Sequence, residues 1–243
     1  MIRALLAGTK TQTRRVSGLD VINATPGRYE FVGIASGPGA AHFAFHERQT
    51  GAQVLVKCKQ GQPGDRLWVR ETFKEAHPVS FQPGRVGERK LYSGIPGPPP
   101  VDYWVAYRAD GELLPYWHSD EYPYRALQPR DDLDLKFNPR GCETGWDSPI
   151  HMPRKASRLT LEITGVRVER LQGISEADVI AEGVTAVSSG GVTLFTTTGV
   201  NCFQTAKDAY AALWESINGP GSWAANPWVW VVEFKLAGNG GGV

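Results

Sequence analysis

The stretch GTKTQTRRV, Gly8 to Val16, brings Lys10, Arg14 and Arg15 together with three threonines and Gln12. Residues of these types suit three kinds of surface. One is an edge strand guarded by charge, another a contact for nucleic-acid phosphates, and the third a reactive site where hydroxyls lie beside groups that carry protons. A second stretch with chemical potential is DRLWVRE, where strand alternation sets Arg66, Trp68 and Arg70 on one face, opposite Leu67, Val69 and Glu71. An indole flanked by guanidinium groups is able to stack on a nucleobase; the bland reading is a core Trp on a barrel strand. Other familiar constellations are missing. The histidines at 42, 46, 77, 118 and 151 form no HExxH pattern, Ser157 sits in no nucleophile elbow, and no Walker or GxGxxG loop occurs. The cysteines at 58, 142 and 202 form no CxxC pair, and their odd number fits reduced thiols. Cys142 and His151 lack partners at ligand spacing, so neither a metal nor an organic cofactor is expected.

Composition limits the partners. The chain has 243 residues, 41% of them hydrophobic, enough to bury a core as one elaborated domain or two small ones. Lys and Arg number 26 against 25 Asp and Glu, so no global field draws the protein onto nucleic acid and any such contact is local. No apolar run approaches the roughly 20 residues that span a bilayer, and IRALLAG is too short for a signal peptide. No membrane partner and a cytoplasmic location are expected; the oligomeric state is left open.

The elements that must position these residues are legible from periodicity. IRALLAG reads as a short helix with Ile2, Leu5 and Leu6 on one side and Gly8 as its stop, followed by extended chain. AHFAFHERQTGAQVLVKC reads as a hairpin around Gln49-Thr50-Gly51, and QPGDRLWVRETF as a turn feeding a strand. Lys74 to Arg154 reads as a loop-rich insertion, 74–154, interrupted by one hairpin that turns at Asp110-Gly111. SRLTLEITGVRVERLQ alternates as a strand pair. ISEADVIAEGV is a helix with Ser175 as N-cap and Gly183 as stop, and a Gly/Thr-rich loop follows. TAKDAYAALWESINGPG places Tyr210, Leu213, Trp214 and Ile217 at helical spacing, and NPWVWVVEFKL closes as a strand with Trp228, Trp230, Val232 and Phe234 on one face. Many short strands with few helices predict a mainly β, α+β fold: a small, strongly bent sheet or barrel with peripheral helices.

The order of these motifs, a short helix into AGTKTQTRR, then GDRLWV, LTLEITGVRVERL, SEADVIAEGV and a final WVWVVEFKL, resembles the ASCH-domain superfamily. The matching segments cover about half of the chain, with the insertion outside them. The resemblance implies a PUA-like β-barrel, here one domain over 1–243. In detail it is nearest to the small amidohydrolases that remove the acetyl group from N4-acetylcytidine; the larger layout, with INGPGSWAANPWVWVVEF, resembles ASCH proteins of bacteriophages and prophages. The amidohydrolases carry a Lys and a Thr three residues apart after the first helix and a Glu at the end of a later helix. Lys10, Thr13 and Glu182 match those positions and are the implied catalytic set, with Arg15, Trp68 and Arg70 as candidates for substrate binding. The implied partner is a modified nucleoside or RNA. A non-enzymatic module that binds RNA or a modified base, or a ribonuclease, are the alternative readings.

Amide hydrolysis needs a nucleophile, a group to take its proton and something to protonate or stabilise what leaves. Thr, Lys and Glu can fill these roles. For Lys10 to be half neutral near pH 7, its pKa must fall by about three pH units, about 4 kcal/mol. Burial and the like charges of Arg14 and Arg15 act in that direction, whereas contact with Glu182 opposes it. Glu182 is therefore expected against the substrate or leaving amine. It also lies in the last turn of its helix, where the dipole disfavours a carboxylate. Three-residue spacing puts Lys10 and Thr13 on opposite faces of a regular strand, so Lys10 must precede the strand.

Overall fold

The computed structural model describes residues 2–35, 41–76, 101–110, 113–119, 146–189, 191–197 and 201–237. Apart from the extreme N-terminus, the chain forms two compact units: Arg3–Leu67 with Thr160–Val243, and Trp68–Leu159. The expected insertion, 74–154, falls inside the second unit. The protein is mainly β with few helices, and its sheet is curled into a half-barrel.

The first unit is organised around β13 (Trp228–Leu236), which lies between β1 (Gln12–Arg15) and β9 (Thr160–Arg170) in a sheet of order β1-β13-β9-β5, with β5 being Arg66–Trp68. Alternation sends Trp228, Trp230 and Val232 to one face, as the sequence predicts, while Phe234, past a shift in register, is buried outside that cluster. The opposite face is buried too: Val229 and Val231 belong to a separate apolar cluster. Burial on both faces explains why WVWVVEF has almost no polar residue. Trp230 is fully buried against Phe43 with ring centroids 4.7 Å apart in an edge-to-face arrangement. Removing about 200 Å² of its surface from water contributes about 5 kcal/mol.

Antiparallel pairing of β13 with β9 shifts register between Glu233 and Phe234. At Gly165, opposite Glu233, a Cβ would lie 2.6 Å from the Glu233 carboxylate, so a larger residue would require that side chain to move. The expected strand pair in SRLTLEITGVRVERLQ is instead this one continuous strand: Gly165 reads as a turn residue but sits within β9 beside the register shift.

The predicted hairpin is β3 (His42–Glu47) with β4 (Gln53–Val56), joined to a strand periodicity alone did not define, β2 (Tyr29–Ala35). Glu47 ties its turn together by accepting from the Gln49 and Thr50 amides, each at 2.9 Å, and from the Thr50 hydroxyl. Arg28 also donates to it, at 2.8 Å, and these contacts hold its carboxyl down at about 2.

The Gly/Thr-rich segment expected as a loop is a three-stranded meander of β10 (Thr185–Ser189), β11 (Val192–Thr196) and β12 (Cys202–Phe203). Its glycines obscure a threonine-rich strand composition that suits a half-exposed sheet. Helices α1 (Ile2–Leu6), α2 (Asp20–Asn23), α3 (Glu176–Ala181) and α4 (Ala206–Asn218) complete the unit. Ser175 caps α3 by accepting from the Asp178 amide at 3.1 Å, and Gly183 ends it with φ +96°. Two apolar assignments are corrected: Leu6 and Ile217 are exposed, both lying near helix ends where the buried stripe runs out.

In the second unit, β6 (Phe73–Ala76), β7 (Val101–Tyr107) and β8 (Leu113–Ser119) form a three-stranded sheet. The β7–β8 hairpin matches the expectation; Gly111 of its turn lies outside the described residues. GDRLWVRETF is not one strand. After Trp68 the chain bonds to a returning segment, Val69 N donating to Leu159 O at 2.9 Å and the Ser157 hydroxyl to Val69 O at 2.8 Å. Phe73, Val105, Tyr107, Met152 and Ala156 form this unit's apolar cluster.

Candidate functional site: a buried ionic cluster beside a cavity

Lys10 leaves α1 in a turn, its amide donating to Ala4 O at 3.0 Å, and it precedes β1 as the spacing argument required. The next amide, Thr11 N, donates to Ala181 O at 2.8 Å and ties this turn to the end of α3. Gly183 permits the approach, since a Cβ there would sit 3.2 Å from Ala4 Cβ and 3.4 Å from Lys10 Cβ. The Lys10 ammonium then donates to the Glu182 carbonyl at 2.6 Å and to its Oε2 at 2.8 Å, with both side chains almost completely buried. This corrects one expectation: Glu182 is not set apart from Lys10. It caps the C-terminus of α3, and Lys10 supplies the cation that a helix C-terminus favours.

A third buried charge completes the group. Arg14, whose side chain is 0% exposed, reaches Glu182 Oε1 at 3.4 Å, Glu169 at 3.2 Å and Asp178 at 3.3 Å. Asp178 also accepts from Gln12 and from Arg167, each at 3.0 Å, while Arg167 reaches Glu169 at 2.5 Å and also pairs with Glu233. Lys10, Arg14 and Arg167 thus face Glu169, Asp178, Glu182 and Glu233, and such a network is what lets Arg14 be buried as a cation. Burial lowers the Lys10 pKa; Glu182 raises it, Arg15 and Arg14 lower it, and the balance leaves it below its usual value. Burial opposes ionisation of Asp178, yet the hydrogen bonds from Ser175 and Gln12 and the charges of Arg14 and Arg167 keep its carboxyl below the ordinary range.

Beside this cluster lies a cavity of about 530 Å³, lined in part by Lys10, Thr13, Arg15 and Glu182. That volume falls within the range of small-molecule sites. Consecutive residues from Thr13 to Ser17 line it, so it runs along the free edge of β1. Its far wall comes from α4, through Tyr210, Leu213 and Trp214. Burial and the nearby Glu182 carboxylate push the Tyr210 phenol well above its ordinary pKa, so it stays protonated. Thr13 Oγ1 is buried and has no hydrogen-bond partner among the described residues. Arg15 is exposed and donates to Arg14 O at 2.8 Å.

The three residues implied by the resemblance, Lys10, Thr13 and Glu182, therefore line one cavity, joined by Arg15. Trp68 and Arg70 belong to the second unit and are not among the lining residues; the Arg70 guanidinium stacks over the Trp68 ring at 4.7 Å and covers one face of it. Sequence reading weighed Arg14 only as a like charge near Lys10 and missed Asp178, Glu169 and Tyr210 as site residues. Gln12 and Arg14 alternate along β1, and Arg167 and Glu169 along β9, so a charged stripe on one sheet face was the available signal. No helix among the described residues is long and apolar enough to cross a membrane. Comparison with protein-family models, curated proteins and solved structures finds no match to this chain.

Proposed function

We propose that this protein hydrolyses the N4-acyl amide of a modified cytidine in the cavity beside β1, on a sheet of the ASCH, PUA-like kind. The observation that carries the reading is the placement of Thr13 Oγ1: buried, without a partner, and in a residue that lines the same cavity as Lys10 and Glu182. A buried hydroxyl with no partner costs stability, and such a cost is retained where a ligand uses the group.

In this reading the Thr13 oxygen adds to the acyl carbonyl and its proton passes to the neutral form of Lys10. The C–N bond then breaks as Lys10 returns the proton to the departing N4 amine. Water, deprotonated by the same amine, cleaves the resulting Thr ester. Glu182 positions Lys10, with Arg14 holding Glu182 in turn, which makes Glu182 a positioning residue rather than the group against the substrate or leaving amine first expected. Lys10→Arg does not substitute, because a guanidinium stays protonated.

The 2.8 Å Lys10–Glu182 ion pair favours a second reading, because it opposes loss of the Lys10 proton. A module that only binds a modified base or RNA would use Lys10 as a fixed cation. Incubating the protein with N4-acetylcytidine and related acylated cytidines, followed by product analysis, separates the two. Release of cytidine that Thr13→Ala abolishes supports hydrolysis. Failure to deacylate any of them, with RNA binding that weakens with salt and survives Lys10→Arg, overturns it.

A further inference from the structure

Trp214 projects from α4 into the apolar cluster behind the cavity and is 5% exposed, yet it also lines the cavity. Its ring lies 6.3 Å from that of Tyr210, and its own carbonyl is already satisfied by Asn218 Nδ2 at 3.0 Å. The indole Nε1 is different: it is buried and has no hydrogen-bond partner among the described residues. An indole N–H only donates, so it cannot be satisfied by another donor. Buried indoles ordinarily find an acceptor, and a Phe at this position would fill the apolar space without leaving a donor unmet.

From these observations we infer that Trp214 is a specificity-determining residue whose Nε1–H donates to a carbonyl oxygen of a heteroaromatic ligand in this cavity. Thr13 Oγ1 and Arg14 Nε are the other unmet polar atoms among the lining residues, so the ligand meets two groups that only donate and one that donates or accepts. The α4 wall also presents Tyr210, Leu213 and Ile217, which suit the flat face of a ring, beside the polar Ser216 and Asn218. A pyrimidine bearing its 2-carbonyl has this combination; a ligand with only amino groups around its ring does not. The inference deepens the proposed function, on which the choice of a pyrimidine rests.

The test is binding of cytidine and of N4-acetylcytidine to the wild-type protein and to Trp214→Phe by titration calorimetry, with turnover measured separately. Loss of one neutral hydrogen bond predicts about tenfold weaker binding of both ligands by the variant. In the wild-type protein, the one of eight indole N–H resonances that Trp214→Phe removes should move downfield on adding cytidine. That readout does not depend on the variant's stability, because Trp214→Tyr identifies the same resonance. Equal affinity in wild type and variant, with an unmoved resonance, overturns the role of Trp214 and leaves hydrolysis standing. Weaker binding by the variant, from a wild-type protein that releases no product, sustains the donor and overturns hydrolysis. A wild-type protein that binds neither ligand overturns both.

Discussion

Each of the two units contains a buried ionic cluster, and the two are built to different ends. In the second unit, Arg158 donates to both oxygens of Glu71 at 2.9 Å and to both oxygens of Asp110 at 2.7 and 3.0 Å, and its guanidinium lies 4.1 Å over the Tyr107 ring. Two bidentate pairs on one planar cation leave little unused donor capacity; this is a clasp that joins Glu71, just before β6, and Asp110, in the β7–β8 turn, to the returning segment that carries Arg158. In the first unit the Arg14 contacts are longer, at 3.2 to 3.4 Å, and three polar atoms of residues that line the cavity, Thr13 Oγ1, Arg14 Nε and Trp214 Nε1, are buried without partners among the described residues. Both clusters bear the cost of desolvating charge. The contrast teaches that burial of charge alone does not mark a site; unmet groups beside a cavity do.

The sharpest way to break that contrast is Thr13→Val, which keeps the shape and removes the hydroxyl. Turnover of N4-acetylcytidine should fall by on the order of 10⁴, as for loss of a nucleophile. Stability should be unchanged or rise by about 1 kcal/mol, because the hydroxyl makes no hydrogen bond in the folded protein. Chemical denaturation beside a product assay checks both. A variant that is less stable by more than about 1 kcal/mol would place Thr13 in the structural class with Arg158.

Removing the cation from each cluster sharpens the comparison further. Lys10→Met removes the cation 2.8 Å from the buried Glu182 carboxylate, and Arg158→Met removes the guanidinium 2.9 Å from the buried Glu71 carboxylate. Each should cost about 3–5 kcal/mol of unfolding free energy. Only Lys10→Met should end turnover. If Arg158→Met, assayed at full folding, lowers kcat by the same factor, the division between clasp and site fails.

Much of this arrangement was legible beforehand. The helix around Ser175 and Gly183, the β3–β4 hairpin and the closing strand follow from caps, turns and alternation, which are local signals. What stayed hidden is non-local. Nothing near Glu182 in the chain announces that Lys10, 172 positions away, caps its helix. Resemblance named the two residues, but reasoning about charge separated them, because a carboxylate raises the pKa that burial and two arginines lower. The meander over β10–β12 was hidden because Gly and Thr serve loops and exposed strands alike, and only the buried Phe195 in β11 betrays a face.

The balance on Lys10 also sets a pH dependence. Its folded pKa lies below the usual 10.5, so between that lowered value and 10.5 the unfolded chain binds more protons than the folded one. Stability should therefore rise with pH across this window, and the rise should disappear in Lys10→Met. If the neutral amine accepts the Thr13 proton, kcat/KM should climb through the same lowered pKa. A flat pH–rate profile up to pH 10.5 alongside measurable turnover would remove Lys10 as the base while leaving its ion pair with Glu182 intact.

The smallest expected effect lies in the second unit, at the pair the sequence offered as a stacking platform. Arg70 covers one face of Trp68 at 4.7 Å and donates to Ile150 O at 3.4 Å, and neither residue lines the cavity. Arg70→Ala should cost about 0.5–1 kcal/mol, the value of an exposed cation–π contact, and leave KM for a nucleoside unchanged. The substitution also frees the indole face, so it tests the platform in the direction that favours it. If freeing Trp68 tightens binding of a single-stranded RNA while nucleoside turnover is untouched, the second unit carries its own nucleic-acid surface. If KM for N4-acetylcytidine itself rises tenfold, Arg70 belongs to the substrate site, and the boundary drawn between clasp and site must move to include it.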